Sequence, residues 1–182
     1  MNLTDDFFTL FQLPLRHRID QAELDKRYLA LQSEVHPDRF VAATDEEKRL
    51  SMQKATRVNE GYQTLRHPLS RARYLLSLRG HELDTGSHTT TDTDFLQEQM
   101  EWREALMEAR GANDRHGLEH LSTRLAGDLQ NFYRTLAVLL DERQDNPAAA
   151  DLVCRLMFLE KLHAQIHDAL ILLEEESAPD AT

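Results

Sequence analysis

Cysteine is almost absent from this chain: Cys154 is the only one among 182 residues. A single thiol rules out an internal disulfide framework and any cysteine-built metal cluster, and it fits a reducing compartment. Its plainest reading is a small apolar side chain inside a helix. Glycine is scarce too, six residues with none adjacent, so no glycine-rich loop is available to cradle a phosphate. Aromatic residues make up 7%, and they do not interleave with arginines as a nucleic-acid stacking platform requires. No apolar stretch approaches the ~20 residues that span a bilayer. The start, Met1 to Asp6, has neither the basic flank nor the apolar core of an export signal, so a soluble cytoplasmic protein is expected.

What the chain does hold is 41% hydrophobic and 29% charged residues, with leucine, alanine, glutamate and arginine prominent. That mix favours an all-α fold. Residues 1–80 carry 13 basic and 11 acidic side chains, whereas residues 81–182 carry 8 and 21. Phosphate backbones call for cations, so the acidic second half argues against a nucleic-acid partner. The split suggests two modules with different partners.

Apolar periodicity divides the chain further. A first helix is expected from about Asp5 to Gln12, with Phe7 and Phe11 on one face and Pro14 closing it. Asp20 and Glu23 have capping-box spacing, bracketed by Ile19 and Leu24, and open a second helix with the stripe Leu24, Tyr28, Leu31, Val35. Thr44 with Glu47 opens a third over Asp45–Arg66, with Ser51, Ala55, Val58, Tyr62 and Leu65 inward. Gly61 inside it costs about 1 kcal/mol relative to alanine and points to close packing there. His67-Pro68 breaks that helix and starts a short one to Leu78, ended by Gly80. Residues 81–93 show no apolar period and read as a linker. Three helical patterns follow, at about 94–110, 114–143 and 147–175. The second carries Leu118, Leu121, Leu125, Leu129, Phe132, Leu136 and Leu139. The third takes Asn146 as its N-cap and carries Leu152, Leu156, Leu159, His163, Ile166, Leu170 and Leu173. Alternating spacings of three and four with short turns predict an antiparallel three-helix bundle over 94–176, and a disordered tail at 177–182.

His36-Pro37-Asp38 stands where the second helix must stop, because proline lacks an N–H and drives the residue before it out of the α region. An imidazole and a carboxylate flank a rigid ring. Acid–base chemistry is one reading, although no nucleophile elbow or H-E-x-x-H pattern accompanies it. A plain structural turn and a rigid recognition knob are the others. The pairs His116/His120 and His163/His167 have the i,i+4 spacing that can share a metal, but no third ligand stands nearby in sequence, and ordinary histidines without a metal are expected. Arg66, Arg71, Arg73 and Arg79 read mostly as solvent-side charges. On helix 94–110, Phe95, Trp102, Leu106 and Ala109 form one apolar stripe, enough to dock it on a bundle. Leu96, Met100 and Met107 form a second, with an acidic row of Glu101, Glu104 and Glu108 beside it. A bundle helix needs one buried face, so the second is a candidate partner surface that an exposed Phe158 extends. The competing reading is a wider core, covered by the N-terminal module.

With that turn between two helices, residues 1–80 resemble a J-domain, and the chain from about residue 4 to 176 resembles the HscB family, J-type co-chaperones of bacterial iron–sulfur cluster assembly. The stretches carrying the likeness are Phe8-Thr9-Leu10-Phe11-Gln12-Leu13-Pro14, His36-Pro37-Asp38-Arg39-Phe40, Gln63-Thr64-Leu65-Arg66-His67-Pro68-Leu69, and Arg71-Ala72 with Tyr74-Leu75-Leu76-Ser77-Leu78. In the second half they are Asp94-Phe95-Leu96, Glu98-Gln99, Arg103-Glu104 and Phe158-Leu159-Glu160-Lys161-Leu162. The resemblance implies an N-terminal J-domain helical hairpin followed by a C-terminal antiparallel three-helix bundle, with no enzymatic activity and no cofactor. It implies that the J-domain docks on an HscA-type, DnaK-class chaperone and stimulates its ATPase through His36, Pro37, Asp38 and Arg39, supported by Arg27. It further implies that the bundle binds an IscU-type scaffold through Leu96, Gln97, Met100, Glu101, Glu104, Glu108 and Phe158, assisting cluster transfer. The alternative is a general J-domain co-chaperone holding unfolded clients. Ser33 and Glu34 stand where many J-domains carry lysine or arginine, which favours a dedicated chaperone. Gln97 stands where the family places a bulkier apolar residue.

Overall fold

The computed structural model describes residues 2–35, 44–81, 83 and 93–177. Every regular element among them is helical: α1 (Phe7–Leu10), α2 (Gln21–Val35), α3 (Asp45–Arg66), α4 (Pro68–Leu78), α5 (Thr93–Gly111), α6 (Arg115–Val138), a π-helical turn (Leu139–Arg143) and α7 (Asn146–Ser177). His36, Pro37, Asp38 and Arg39 lie outside the described residues, as do most of the expected linker and positions 178–182.

α1 is shorter than the periodicity predicts. Asp6 caps it, its Oδ1 accepting the Thr9 N–H at 3.0 Å, and Gln12 at φ +50° turns the chain away. Asp20 caps α2 as expected, accepting from the N–H groups of Ala22 and Glu23 at 2.9 and 3.3 Å. The Thr44–Glu47 capping box opens α3 in full. α2 and α3 form a hairpin in which Tyr28 stacks on Tyr62, ring centroids 3.9 Å apart. The absent side chain of Gly61 makes room for Phe7 and Phe11, whose ring carbons stand 2.8 and 2.9 Å from where a Cβ would be.

α5, α6 and α7 form the three-helix bundle. Three expectations need correction here. The helix foreseen to run unbroken to Arg143 changes to a π-helical turn at Leu139, and Gln144 at φ +52° ends it. The cap of α7 is Asp145, whose Oδ1 accepts the Ala148 N–H at 3.1 Å, while Asn146 Oδ1 accepts from Arg79 Nη1 at 3.0 Å. The seam of α7 is also rotated. Ala149, Val153, Leu156, Leu159, Leu162, Ile166 and Ala169 are buried, leaving Leu152, His163, Leu170 and Leu173 at its edge. Leucines on both sides of the seam made the sequence pattern ambiguous, and the small Ala149 and Ala169 carried no weight in it.

The apolar core does not stop between the halves. One cluster runs from Phe8, Phe11, Leu24, Val58, Leu65 and Leu76 to Leu136, Leu140, Ala149, Val153 and Leu156. A second fills the far end of the bundle around Trp102, Leu106, Leu118, Leu125, Leu162 and Ile166. Two of the arginines expected at the surface are recruited inward. Arg71 is 7% exposed; its Nε donates to His17 O at 2.7 Å and its Nη1 to Leu65 O. Arg79 Nη1 donates to Leu140 O at 3.0 Å. A guanidinium satisfies several carbonyls at once, which a helix-face pattern does not reveal.

Candidate functional site

Two surfaces carry the residues singled out from the sequence. The first is the end of α2, where the described chain stops at Val35, one residue before the His-Pro-Asp turn. That end is firmly held: Val35 is buried, and the buried Ser51 hydroxyl donates to Val35 O at 2.8 Å. Arg27 braces the same module from the side. Its Nη1 donates to Phe11 O and Gln12 O at 2.8 and 2.5 Å, and its Nε pairs with Glu23 at 2.6 Å. These bonds satisfy the carbonyls left open where α1 ends, so most of the guanidinium faces inward. The outer face of α2 presents Lys26, Ala30, Ser33 and Leu29, the last 65% exposed. Periodicity passed over Leu29, although its position out of phase with the buried stripe was visible.

The second surface is the outer face of α5. Phe95, Trp102, Leu106 and Ala109 are buried, as the first stripe predicts. Leu96, Met100 and Met107 are 46, 70 and 74% exposed. The reading in which the N-terminal module covers them fails, because that module packs against α7 and the π-helical turn. Gln97, Glu101, Glu104 and Glu108 are all exposed, and Gln97 Nε2 donates to Glu101 Oε1 at 3.0 Å. Phe158 is half-buried. It meets Phe95 edge-on with centroids 6.0 Å apart, and the Arg103 guanidinium lies over its ring at 5.4 Å. An ion pair between Arg155 and Glu98 fastens α5 to α7 from beneath. The face thus combines a ridge of flexible thioethers and leucine with a line of carboxylates. That combination is chemically complementary to an apolar patch flanked by cations.

No group of three or more His, Cys, Asp or Glu side chains among the described residues is placed to hold a metal. His116 instead pairs with Glu119 at 3.5 Å in the open. Burial pushes the Cys154 thiol up from its ordinary value, opposite to what a nucleophile needs. No helix of the described residues is long and apolar enough to cross a membrane.

Comparison with known proteins matches residues 91–167 to a family described as the HSCB C-terminal oligomerisation domain. A co-chaperone protein HscB homolog of Aromatoleum aromaticum is 53% identical over 176 residues, spanning 96% of this chain and 98% of that one. Among solved structures, HscB from Vibrio cholerae superposes with a TM-score of 0.84 at 34% identity, covering 93% of this chain and 99% of its own. Human HscB superposes with a TM-score of 0.86 at 30% identity, covering 92% and 83% respectively.

Proposed function

Because this chain belongs to the HscB family of co-chaperones, we propose that it is a two-sided adaptor of iron–sulfur cluster assembly in the cytoplasm. Its J-domain meets an HscA-type chaperone of the DnaK class, and its bundle carries an IscU-type scaffold to that chaperone. His36, Pro37 and Asp38 are the chaperone contacts, with Arg39 beside them and Arg27 bracing α1 against α2. Leu96, Gln97, Met100, Glu101, Glu104, Glu108 and Phe158 are the scaffold contacts. The adaptor stimulates ATP hydrolysis by favouring one conformational state of the chaperone, and none of its own side chains enters the chemistry.

The observation carrying this reading is the second apolar stripe of α5. Leu96 and Met100 face outward although the bundle is already closed by Trp102 and Leu106. Solvent exposure of large apolar side chains at a charged rim marks a docking face. The test is calorimetric titration of an IscU-type scaffold, paired with single-turnover ATPase assays on the cognate chaperone. Leu96→Ala and Met100→Ala each weaken scaffold binding by about tenfold and leave basal J-domain stimulation intact. His36→Gln abolishes stimulation and leaves scaffold binding intact. Broad binding of denatured chains without preference for the scaffold points instead to a general holder of unfolded clients.

A further inference from the structure

The two docking surfaces belong to different halves of the chain, and a specific device joins those halves. At the π-helical turn, the Asp141 carboxylate reaches the segment between α1 and α2. Its Oδ1 accepts the His17 N–H at 2.6 Å and its Oδ2 the Arg18 N–H at 2.8 Å. The Arg18 side chain continues to Glu142 at 2.7 Å. On the other side of the segment, Arg71 Nε holds His17 O at 2.7 Å, and the His17 ring meets Pro68 O at 3.1 Å. The carbonyl of Leu140, within the π-helical turn, accepts at 3.0 Å from Arg79, the residue that ends the short helix α4.

From this we infer that Asp141 is a positioning residue, which locks the N-terminal helices onto the bundle in one register and so holds the end of α2 and the outer face of α5 in a fixed relation. The inference rests on the adaptor reading for its consequence, though not for its geometry. Apolar burial joins the halves as well, but it is non-directional and tolerates sliding. Two charge-assisted bonds to successive backbone N–H groups do not tolerate it, since a shift of either half breaks both. The π-helical turn is part of the device: an α-helical continuation would rotate residue 141 away from its present direction. The segment 81–93 then serves as a connection, and the fixed relation does not depend on its length. Delivery of a scaffold becomes a matter of orientation, beyond the raised local concentration that any flexible tether supplies.

The test uses the full chain with Cys154→Ala, spin-labelled at Gln53→Cys on α3 and Gln130→Cys on α6. The parent gives a narrow inter-label distance distribution. Asp141→Ala broadens it, and Asp141→Asn, which retains one acceptor oxygen, broadens it less. A short Gly-Ser insertion between Gly86 and Ser87 leaves it narrow. In the chaperone assay without labels, Asp141→Ala lowers scaffold-dependent stimulation several-fold, while scaffold affinity and scaffold-independent stimulation stay at parent values. A purely stabilising role would move all three together with the unfolding midpoint. A distribution that stays narrow in Asp141→Ala overturns the inference, as does one broadened by the insertion. If the parent itself shows no scaffold-dependent stimulation, the adaptor reading fails, and the distance measurement still decides the role of Asp141.

Discussion

His17 shows what a single side chain pays for its place at the junction. It is 4% exposed, and Nε2 faces a carbonyl and therefore carries the proton, so Nδ1 is left buried with no partner among the described residues. Burial, and then the neighbouring Arg71 guanidinium, lowers its pKa from 6.5 to about 4. The unfolded chain takes up a proton near pH 6.5 that the folded chain refuses until about pH 4. The stabilisation is therefore complete above pH 6.5 and is lost as the pH falls toward 4, by about 3 kcal/mol in all. Urea midpoints measured across that window should fall for the parent protein and fall less for His17→Gln, which keeps an N–H donor. Glycines make a second prediction at this scale. At Gly61 a Cβ would stand 2.8 Å from Phe7 and 2.9 Å from the fully buried Phe11 ring, whereas at Gly127 nothing lies within 4 Å. Gly127→Ala should raise stability by about 0.5–1 kcal/mol through helix propensity. Gly61→Ala gains the same propensity but forces the rings apart at about 1–3 kcal/mol, so it should destabilise on balance in the same denaturation experiment.

α5 is one helix with two apolar faces, and substitutions should sort by face. Trp102 is 3% exposed, and Trp102→Ala should cost about 3–5 kcal/mol of stability. Met107 is 74% exposed on the ridge of Leu96 and Met100. Met107→Ala should leave the unfolding midpoint alone and weaken scaffold binding about fivefold, the effect of a moderate interface contact, as read by calorimetry. That both faces exist was legible in the sequence, because a 3.6-residue repeat places each residue on the helix surface by arithmetic. The starts of α2 and α3 were legible for a similar local reason: Asp20 accepts from N–H groups two and three residues on, and Thr44 and Glu47 satisfy each other's backbone within one turn. What sequence could not supply was set by distant partners. Arg71 and Arg79 look like solvent charges until carbonyls from other segments approach them. The π-helical turn meets Arg79 and the His17 backbone, 61 and 124 residues away in sequence. The burial phase of α7 was decided by which neighbours surround it, since leucines occur on more than one of its faces.

The molecule as a whole should unfold as a unit. Leu140 is fully buried in the cluster that also contains Leu24, Val58 and Leu76 of the N-terminal helices. Two modules joined only by a tether would melt separately, each with its own midpoint. A shared core instead makes the loss of either half expose apolar surface on the other. Fluorescence of Trp102, at the far end of the bundle, and amide exchange in α2 and α3 report the two halves independently. In urea both should give one coincident midpoint. Leu140→Ala removes contacts for both halves and should cost about 2–5 kcal/mol, moving the two midpoints down together. A shift confined to the Trp102 signal would mean that the halves are stable apart, and that the continuous cluster contributes little to the cohesion on which a fixed arrangement of the two docking faces depends.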